Sequence, residues 1–418
     1  MIKALLIKGG RIIDSEQKID AAGNLLVQED KITWLGDTKE NPPSHEYDIF
    51  PAEGLVVCPG LIDFHCHLRE PGFEEKETIA TGTRAAAKGG FTTVCCMANT
   101  RPPLDSAEMI DFVKNKSNSE SLVQVLPIGC VTTGRKGKTL IYMEPLVKAG
   151  VAGFSDDGDP VKTSELMQSA LGISKLFNLP IIDHCEDHLG GPPESEEKIV
   201  ARDLDLAEKS GGWLHIAHVS TAGSVELIRR AKIKGIRVTA EVTPHHLTLT
   251  SEIIKKCGAL AKVNPPLRTK ADCEALIEGL KDGTIDIITT DHAPHTEVEK
   301  QREFENAPAG ISGFETALGS LMGLVHSGHL SLNELISSLT DKPAKIINKA
   351  LGNLKIGTIA NITILDPDKE WIVDVEKFIS KGKNTPLIGK ALKGKVMATI
   401  YQGNLVYKDD SVKIGLRK

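Results

Sequence analysis

From Leu55 onward the chain alternates short, almost uninterrupted apolar runs with longer stretches of helical periodicity. The apolar runs are Leu55–Phe64, Phe91–Cys96, Leu122–Cys130, Val151–Phe154, Pro180–His184, Trp213–Val219, Ile236–Val242 and Ile285–Thr290. Helical patterns fill several of the gaps, at Glu77–Lys88, Ser164–Phe177, Ala222–Lys234 and Ala271–Leu280. Strands that are apolar throughout predict a parallel sheet covered on both faces. Eight of them, mostly spaced about thirty residues apart as in βαβ units, predict closure into a (β/α)8 barrel of the TIM type. A doubly wound open sheet is the other arrangement of such units, but no GxGxxG follows the first strand.

The two ends of the chain follow a different pattern. Short runs at Ala4–Ile7, Asn24–Gln28 and Ile32–Leu35 are separated by turn residues, and the same style resumes at Ala360–Leu365, Glu370–Val373, Lys395–Tyr401 and Leu405–Tyr407. Two β-rich ends flanking one barrel predict a single small β-sandwich built from residues 1–53 and 352–418, with the barrel over residues 54–351.

Composition narrows the class further. Aromatics make up only 4% of the chain, so the core must come from branched aliphatics and alanine, which suits a barrel filled in layers. The formal charge is 50 − 56 = −6 without a long basic run, which argues against nucleic acid or an anionic membrane as partner. No apolar run approaches a membrane span, and the first residues lack a signal-peptide core. Eight cysteines are too dilute for a disulfide scaffold, and several lie in apolar runs. Together these features predict a cytoplasmic enzyme.

The chemistry concentrates where the apolar runs end. His65 and His67 stand two apart at the end of the first run, so both imidazoles face one side, as a zinc-like ion requires. Asp156 and Asp157 end the fourth run, His184 the fifth, His215 and His218 the sixth, and Asp291, His292 and His295 the eighth. Any one of these could be a helix cap or a core histidine. Falling together on the C-terminal rim of one barrel, they include four histidines and two aspartates that are enough for two metals sharing a carboxylate. His245 and His246 end the seventh run; adjacent strand residues face opposite sides, so at most one can look inward. His45, His326 and His329 have no supporting motif.

The segments PGLIDFHCHLREPG, GGFTTV, FSDDG, DHCED, HIAHVST, EVTPHHL, NPPLR, TDHAPH, AGISGFET and SKGKNTP resemble the amidohydrolase superfamily, and in detail its class I dihydroorotases, over nearly the whole chain. The resemblance implies reversible, zinc-dependent hydrolysis of dihydroorotate to N-carbamoyl-L-aspartate, a step of pyrimidine biosynthesis, with two zinc ions per chain. It places His65, His67 and Asp291 on one metal and His184 and His218 on the other, with Asp157 bridging; Asp157 is preferred to Asp156 for its spacing to His184. Asp291 would also carry the catalytic proton. Arg69, Asn99 and His295 match the contacts to the substrate carboxylate, and Asn264, Ala309 and Gly310 those to the ring. Related hydantoinases, allantoinases and class II dihydroorotases bridge with a carbamylated lysine, whereas this turn offers aspartates. One departure is Ala98, where the family usually carries proline. The resemblance leaves room for a homodimer and for a complex with aspartate transcarbamoylase, including a scaffold role without catalysis, although every ligand position is retained. The charged stretch 296–308 reads as a mobile lid or as a plain solvated loop.

Overall fold

The computed structural model describes residues 4–43, 46–187 and 190–415; His45 lies outside them. The chain opens with five strands, β1 (Ala4–Asp14), β2 (Ile19–Gln28), β3 (Lys31–Asp37), β4 (Asp48–Pro51) and β5 (Val56–Pro59). The barrel strands follow as β6 (Leu61–Cys66), β7 (Phe91–Cys96), β8 (Gln124–Pro127), β9 (Ile181–Asp183), β10 (Leu214–Ile216), β11 (Val238–Val242) and β12 (Ile287–Ile288). The chain then returns through β13 (Ile362–Ile372), β14 (Ala391–Tyr401) and β15 (Asn404–Lys408) to the sheet where it began.

All the barrel ladders are parallel, β6–β7–β8 on one side and β9–β10–β11–β12 on the other. Two seams join them. The fourth apolar run contributes a single bridging residue rather than a full strand: Phe154 pairs with Gly129 on one side and Ile181 on the other. Across the first and last strands the seam runs from Cys66 to His292, and His67 N–H donates to the His292 carbonyl at 2.8 Å. Asp63 fastens the same seam from inside, accepting from the Thr290 N–H and hydroxyl, both at 2.7 Å.

The strands are buried on both faces, as their composition requires. Ile62, Phe64, Met97, Ile128, Ile182 and Ile287 form an interior cluster, closed at one end by Ala344, Ile346 and Ile347. Leu61, Phe91, Val94 and Leu214 belong to a larger cluster with helix residues such as Ile79, Leu171 and Val225. The helices start where the sequence places caps: Thr78, Thr163, Thr221 and Thr269 each accept a backbone N–H at the start of Ile79–Lys88, Ser164–Phe177, Ala222–Ile233 and Lys270–Lys281.

The structure corrects the sequence reading at one further point. The run Leu55–Phe64 is two strands. Val56 and Val57 pair with β1, and residues 56–59 pair with β13, so β5 is a central strand of the terminal sheet; β6 begins just after it. Gly60 lies between them, at a position where a Cβ would collide with the Thr92 side chain. The terminal strands form one continuous eight-stranded sheet. Residues from strands far apart in its order, such as Leu25 and Ile400, share one buried cluster, so the sheet curls over its own core.

No helix among the described residues is long and apolar enough to cross a membrane, and all eight cysteines are unpaired. Because the Phe154 ring is fully buried in the core behind the β8–β9 seam, Phe154→Ala is expected to destabilise the fold by about 3–5 kcal/mol. Urea denaturation measures this, and a loss under about 1 kcal/mol would show that the ring carries little of that packing.

Candidate metal centre and substrate cavity

Each barrel strand delivers its polar residues to the same rim, the C-terminal ends of the strands. His65 lies near the end of β6 and His67 just beyond it, with Asn99 after β7, Asp157 after Phe154, His184 after β9, His218 after β10 and Asp291 after β12. Arg69, His218 and Asp291 have φ of 61°, 31° and 43°, left-handed conformations that non-glycine residues adopt at a cost of order 1–3 kcal/mol and that cluster at functional sites.

Asp157 is the hub. Its Oδ1 lies 3.4 Å from His65 Nε2 and 3.7 Å from both His184 Nδ1 and His218 Nε2, while its Oδ2 lies 3.6 Å from His67 Nε2. Asp291 Oδ1 lies 3.0 Å from His67 Nε2 and 3.7 Å from His65 Nε2. Asp156 is occupied elsewhere: its carboxylate accepts from the Val131 and Thr132 N–H groups and from the Thr132 hydroxyl.

The imidazoles are oriented from behind. Glu241 Oε1 lies 2.6 Å from His65 Nδ1, which makes that nitrogen the donor and turns the Nε2 lone pair toward Asp157. The Asn99 carbonyl does the same for His67 Nδ1 at 2.9 Å, and the Asn99 amide donates to Asp157 Oδ2 at 3.1 Å. Glu241 also faces His215 Nε2 at 3.1 Å and accepts the His218 N–H. Its motif was visible in the sequence, but its role was not, because a carboxylate in mid-strand has no ligand spacing to betray it.

These residues fit a divalent cation. His65, His67 and Asp291 offer atoms within 4.8 Å of one another, as do His65, Asp157 and His218. Three buried atoms of this cluster, His65 Nε2, Asp157 Oδ1 and His218 Nδ1, lack a hydrogen-bond partner. The electrostatics agree. Burial alone would raise the carboxyl of Asp157, but His65, His184 and His218 hold it well below the carboxylate range. Burial would lower His184, yet Asp157 and Glu186 push it up to about 10. A site that draws protons onto buried imidazoles would draw a metal ion equally, with release of those protons. A third group, Asp183, Cys185 and Asp203, is engaged internally: the Cys185 thiol lies on both carboxylates, and Arg202 pairs with them.

In front of the cluster is a cavity of about 150 Å3, lined by His67, Arg69, Asn99, Asp157, His184, His218, Asn264, Asp291, His295, Ala309 and Gly310. All six residues matched to substrate contacts therefore meet in one place. Arg69 is half-buried; its Nε donates to the Pro294 carbonyl at 3.2 Å and its Nη2 lies 3.2 Å from His295 Nε2. Burial and the cations Arg69, Lys76 and Lys300 lower His295 to about 2, so it is neutral, and its Nε2 donates to the Ala309 carbonyl at 2.8 Å. The largest cavity, about 600 Å3 between the Phe314–His326 helix and the terminal sheet, contains none of these residues.

The structure revises one neighbouring segment and gives the contacts of another. His245 and His246 fall in a short helix, Pro244–Thr248, that Thr243 caps and Pro244 opens, so both are buried and strand alternation does not apply. His246 bonds Thr243 and the Pro265 carbonyl, whereas His245 Nε2 has no partner. The stretch 296–308 is anchored: Lys300 is buried and donates to the Pro308 and Gly310 carbonyls, and Lys262 donates to those of Phe304 and Glu305. His326 and His329 are exposed.

The chain matches the amidohydrolase family over residues 56–406. A protein of Endomicrobium trichonymphae named dihydroorotase is 48% identical over 97% of this chain and 99% of its own length. Dihydroorotases of a Geobacter species (strain M21) and Aquifex aeolicus are 47% and 46% identical, each over 97% of this chain and 99% of their own. Among solved structures, the dihydropyrimidinase of Brevibacillus agri superposes with a TM-score of 0.87 at 22% identity, covering 99% of this chain and 96% of its own. The L-hydantoinase of Arthrobacter aurescens gives 0.88 at 25% identity, covering 99% and 98%. These structures share the fold, while the sequence relatives narrow the kinship: the chain belongs to the amidohydrolase family and, within it, to the dihydroorotases.

Proposed function

We propose that this chain hydrolyses dihydroorotate to N-carbamoyl-L-aspartate and catalyses the reverse ring closure, with two zinc ions bound at the rim. The observation that supports this best is a half-buried guanidinium, Arg69, opening on the same cavity as the cluster of histidines and aspartates. A cyclic amide carrying a carboxylate would present its ring to the cluster and its charge to the guanidinium.

His65, His67 and Asp291 would hold one ion and His184 and His218 the other, with Asp157 shared. When bound, the zinc ions would polarise the scissile carbonyl and acidify the attacking water. Asp291 accepts the proton of that water as the new C–O bond forms, and returns it to the ring nitrogen as the C–N bond breaks. Its carboxyl is ionised and so has a site for that proton: although burial opposes ionisation, His67, His65 and His218 hold it far below the usual range. Arg69, Asn99 and His295 bind the substrate carboxylate, and Asn264 with the backbone of Ala309 and Gly310 holds the ring. A hydantoinase activity is the second reading, favoured by the shared fold; the carboxylate-binding groups argue for dihydroorotate.

Elemental analysis of protein saturated with zinc is expected to approach about two ions per chain, as the shared carboxylate requires; a plateau at one would remove the bridged arrangement. Arg69→Lys is expected to lower kcat/KM for dihydroorotate roughly 10–100-fold, because an ammonium cannot copy a two-pronged contact. An unchanged value would take Arg69 out of the substrate site. Asp291→Asn is expected to lose roughly 10²–10⁴-fold in both directions. In the unsubstituted enzyme, hydrolysis needs Asp291 ionised, which it already is, so hydrolysis should hold its rate down through the ordinary carboxylate range. Ring closure needs it protonated and should strengthen as pH falls. Near-normal turnover by an Asp291→Asn protein that keeps its zinc would assign the proton to another group.

A further inference from the structure

Between β13 and β14 the chain leaves the terminal sheet and reaches across to the barrel rim. Ser380 donates to Glu77 at 2.6 Å, and Glu77 in turn faces His292 Nε2 at 3.3 Å, one residue from Asp291. Four residues on, Asn384 is buried and uses every hydrogen-bonding position of its amide. Its Nδ2 donates to the Ala293 carbonyl at 3.1 Å and to the Gly310 carbonyl at 3.0 Å. Its Oδ1 accepts from the His295 N–H and the Ser312 hydroxyl, both at 2.9 Å. The amide can face only this way, since turning it over would set donors against donors and carbonyl against carbonyls. The backbone joins in, because Ser312 N–H donates to the Asn384 carbonyl at 2.8 Å.

The two segments that Asn384 joins lie side by side in the wall of the substrate cavity. His295 follows the strand-end aspartate, and Gly310 lies just past the far end of the stretch 296–308. Their direct pairing is thin: Ala293 N–H donates to the Ile311 carbonyl and His295 Nε2 to the Ala309 carbonyl, both at 2.8 Å. Gly310 leaves no room for a side chain. At φ 139° it occupies a conformation open to glycine, and a Cβ there would meet the Ala293 carbonyl at 2.7 Å. Small shifts of these segments would change where the cavity offers its donors.

We propose that Asn384 is a positioning residue for substrate recognition, a clamp from the terminal sheet that fixes His295 against Gly310. The inference rests on the proposed function insofar as those two residues contact dihydroorotate. Without the clamp the carboxylate and ring contacts lose register, while the cluster around Asp157 keeps its own supports, Glu241 and Asn99. Binding should suffer more than the chemical step.

The test compares zinc-supplemented full-length protein with Asn384→Asp, which keeps the shape but turns an oxygen toward two carbonyls, and Asn384→Ala, which removes the amide. KM for dihydroorotate is expected to rise about tenfold in each while kcat stays within about threefold, with zinc content unchanged. Hydrogen exchange reads the clamp without substrate: the amides of Ala293, His295 and 309–312 should exchange faster, and those of 61–66 should not. An unchanged KM in protein that turns over dihydroorotate, or unchanged exchange, overturns the proposal. So does a joint collapse of kcat and zinc content, which would mark Asn384 as a general support of the fold. If the unsubstituted protein fails to turn over dihydroorotate, the proposed activity falls, and the exchange measurement still decides whether the clamp exists.

Discussion

A carboxylate taken out of water protonates unless something nearby repays the lost hydration. Asp157 is buried at the centre of four imidazoles, and its ionised form is held there by three of them. The rest of the rim is arranged around that fact. Asp156, next in the chain, is tied down by Val131 and Thr132, which leaves the turn only one way to present Asp157. Glu241 and Asn99 set the nitrogens of His65 and His67 that face it. The barrel supplies the convergence: residues from separate strand ends meet only because the sheet closes on itself.

The part of this that the sequence displays is the part with a short-range signature. Apolar runs followed by histidines and aspartates give the barrel and the rim, since burial on both faces leaves no alternation and function collects at one end. What lacks such a signature is harder to see. The fourth strand is too short to form a ladder: Phe154 bridges Gly129 and Ile181, and residues 152, 153 and 155 add single backbone bonds to the β8 side. The first run reads as one strand but divides at Gly60, where the two halves pair with different sheets. His245 and His246 follow a strand, yet Thr243 and Pro244 start a helix there. Glu241 and Asn384 are invisible as functional groups because their partners lie 176 and 89 residues away in the chain.

The left-handed backbone at Arg69, His218 and Asp291 is a cost carried by the surrounding structure. Each sits one or a few residues past a strand end, where the chain must turn at once to present its side chain to the cavity. The seam of Asp63 with Thr290 and of His67 with His292 holds two of these turns against each other, so the strain is distributed over rigid elements.

β5 lies in the middle of the terminal sheet, paired on both sides, and after Gly60 the same extended chain becomes the strand that carries His65 and His67. Loosening one end of such a rod loosens the other. Occupancy of the rim and folding of the terminal sheet are therefore thermodynamically linked, and an ion or substrate that binds the folded rim also stabilises strands far from it. The distant sheet thus becomes a gauge: protease resistance of its exposed turns would register what the buried centre holds.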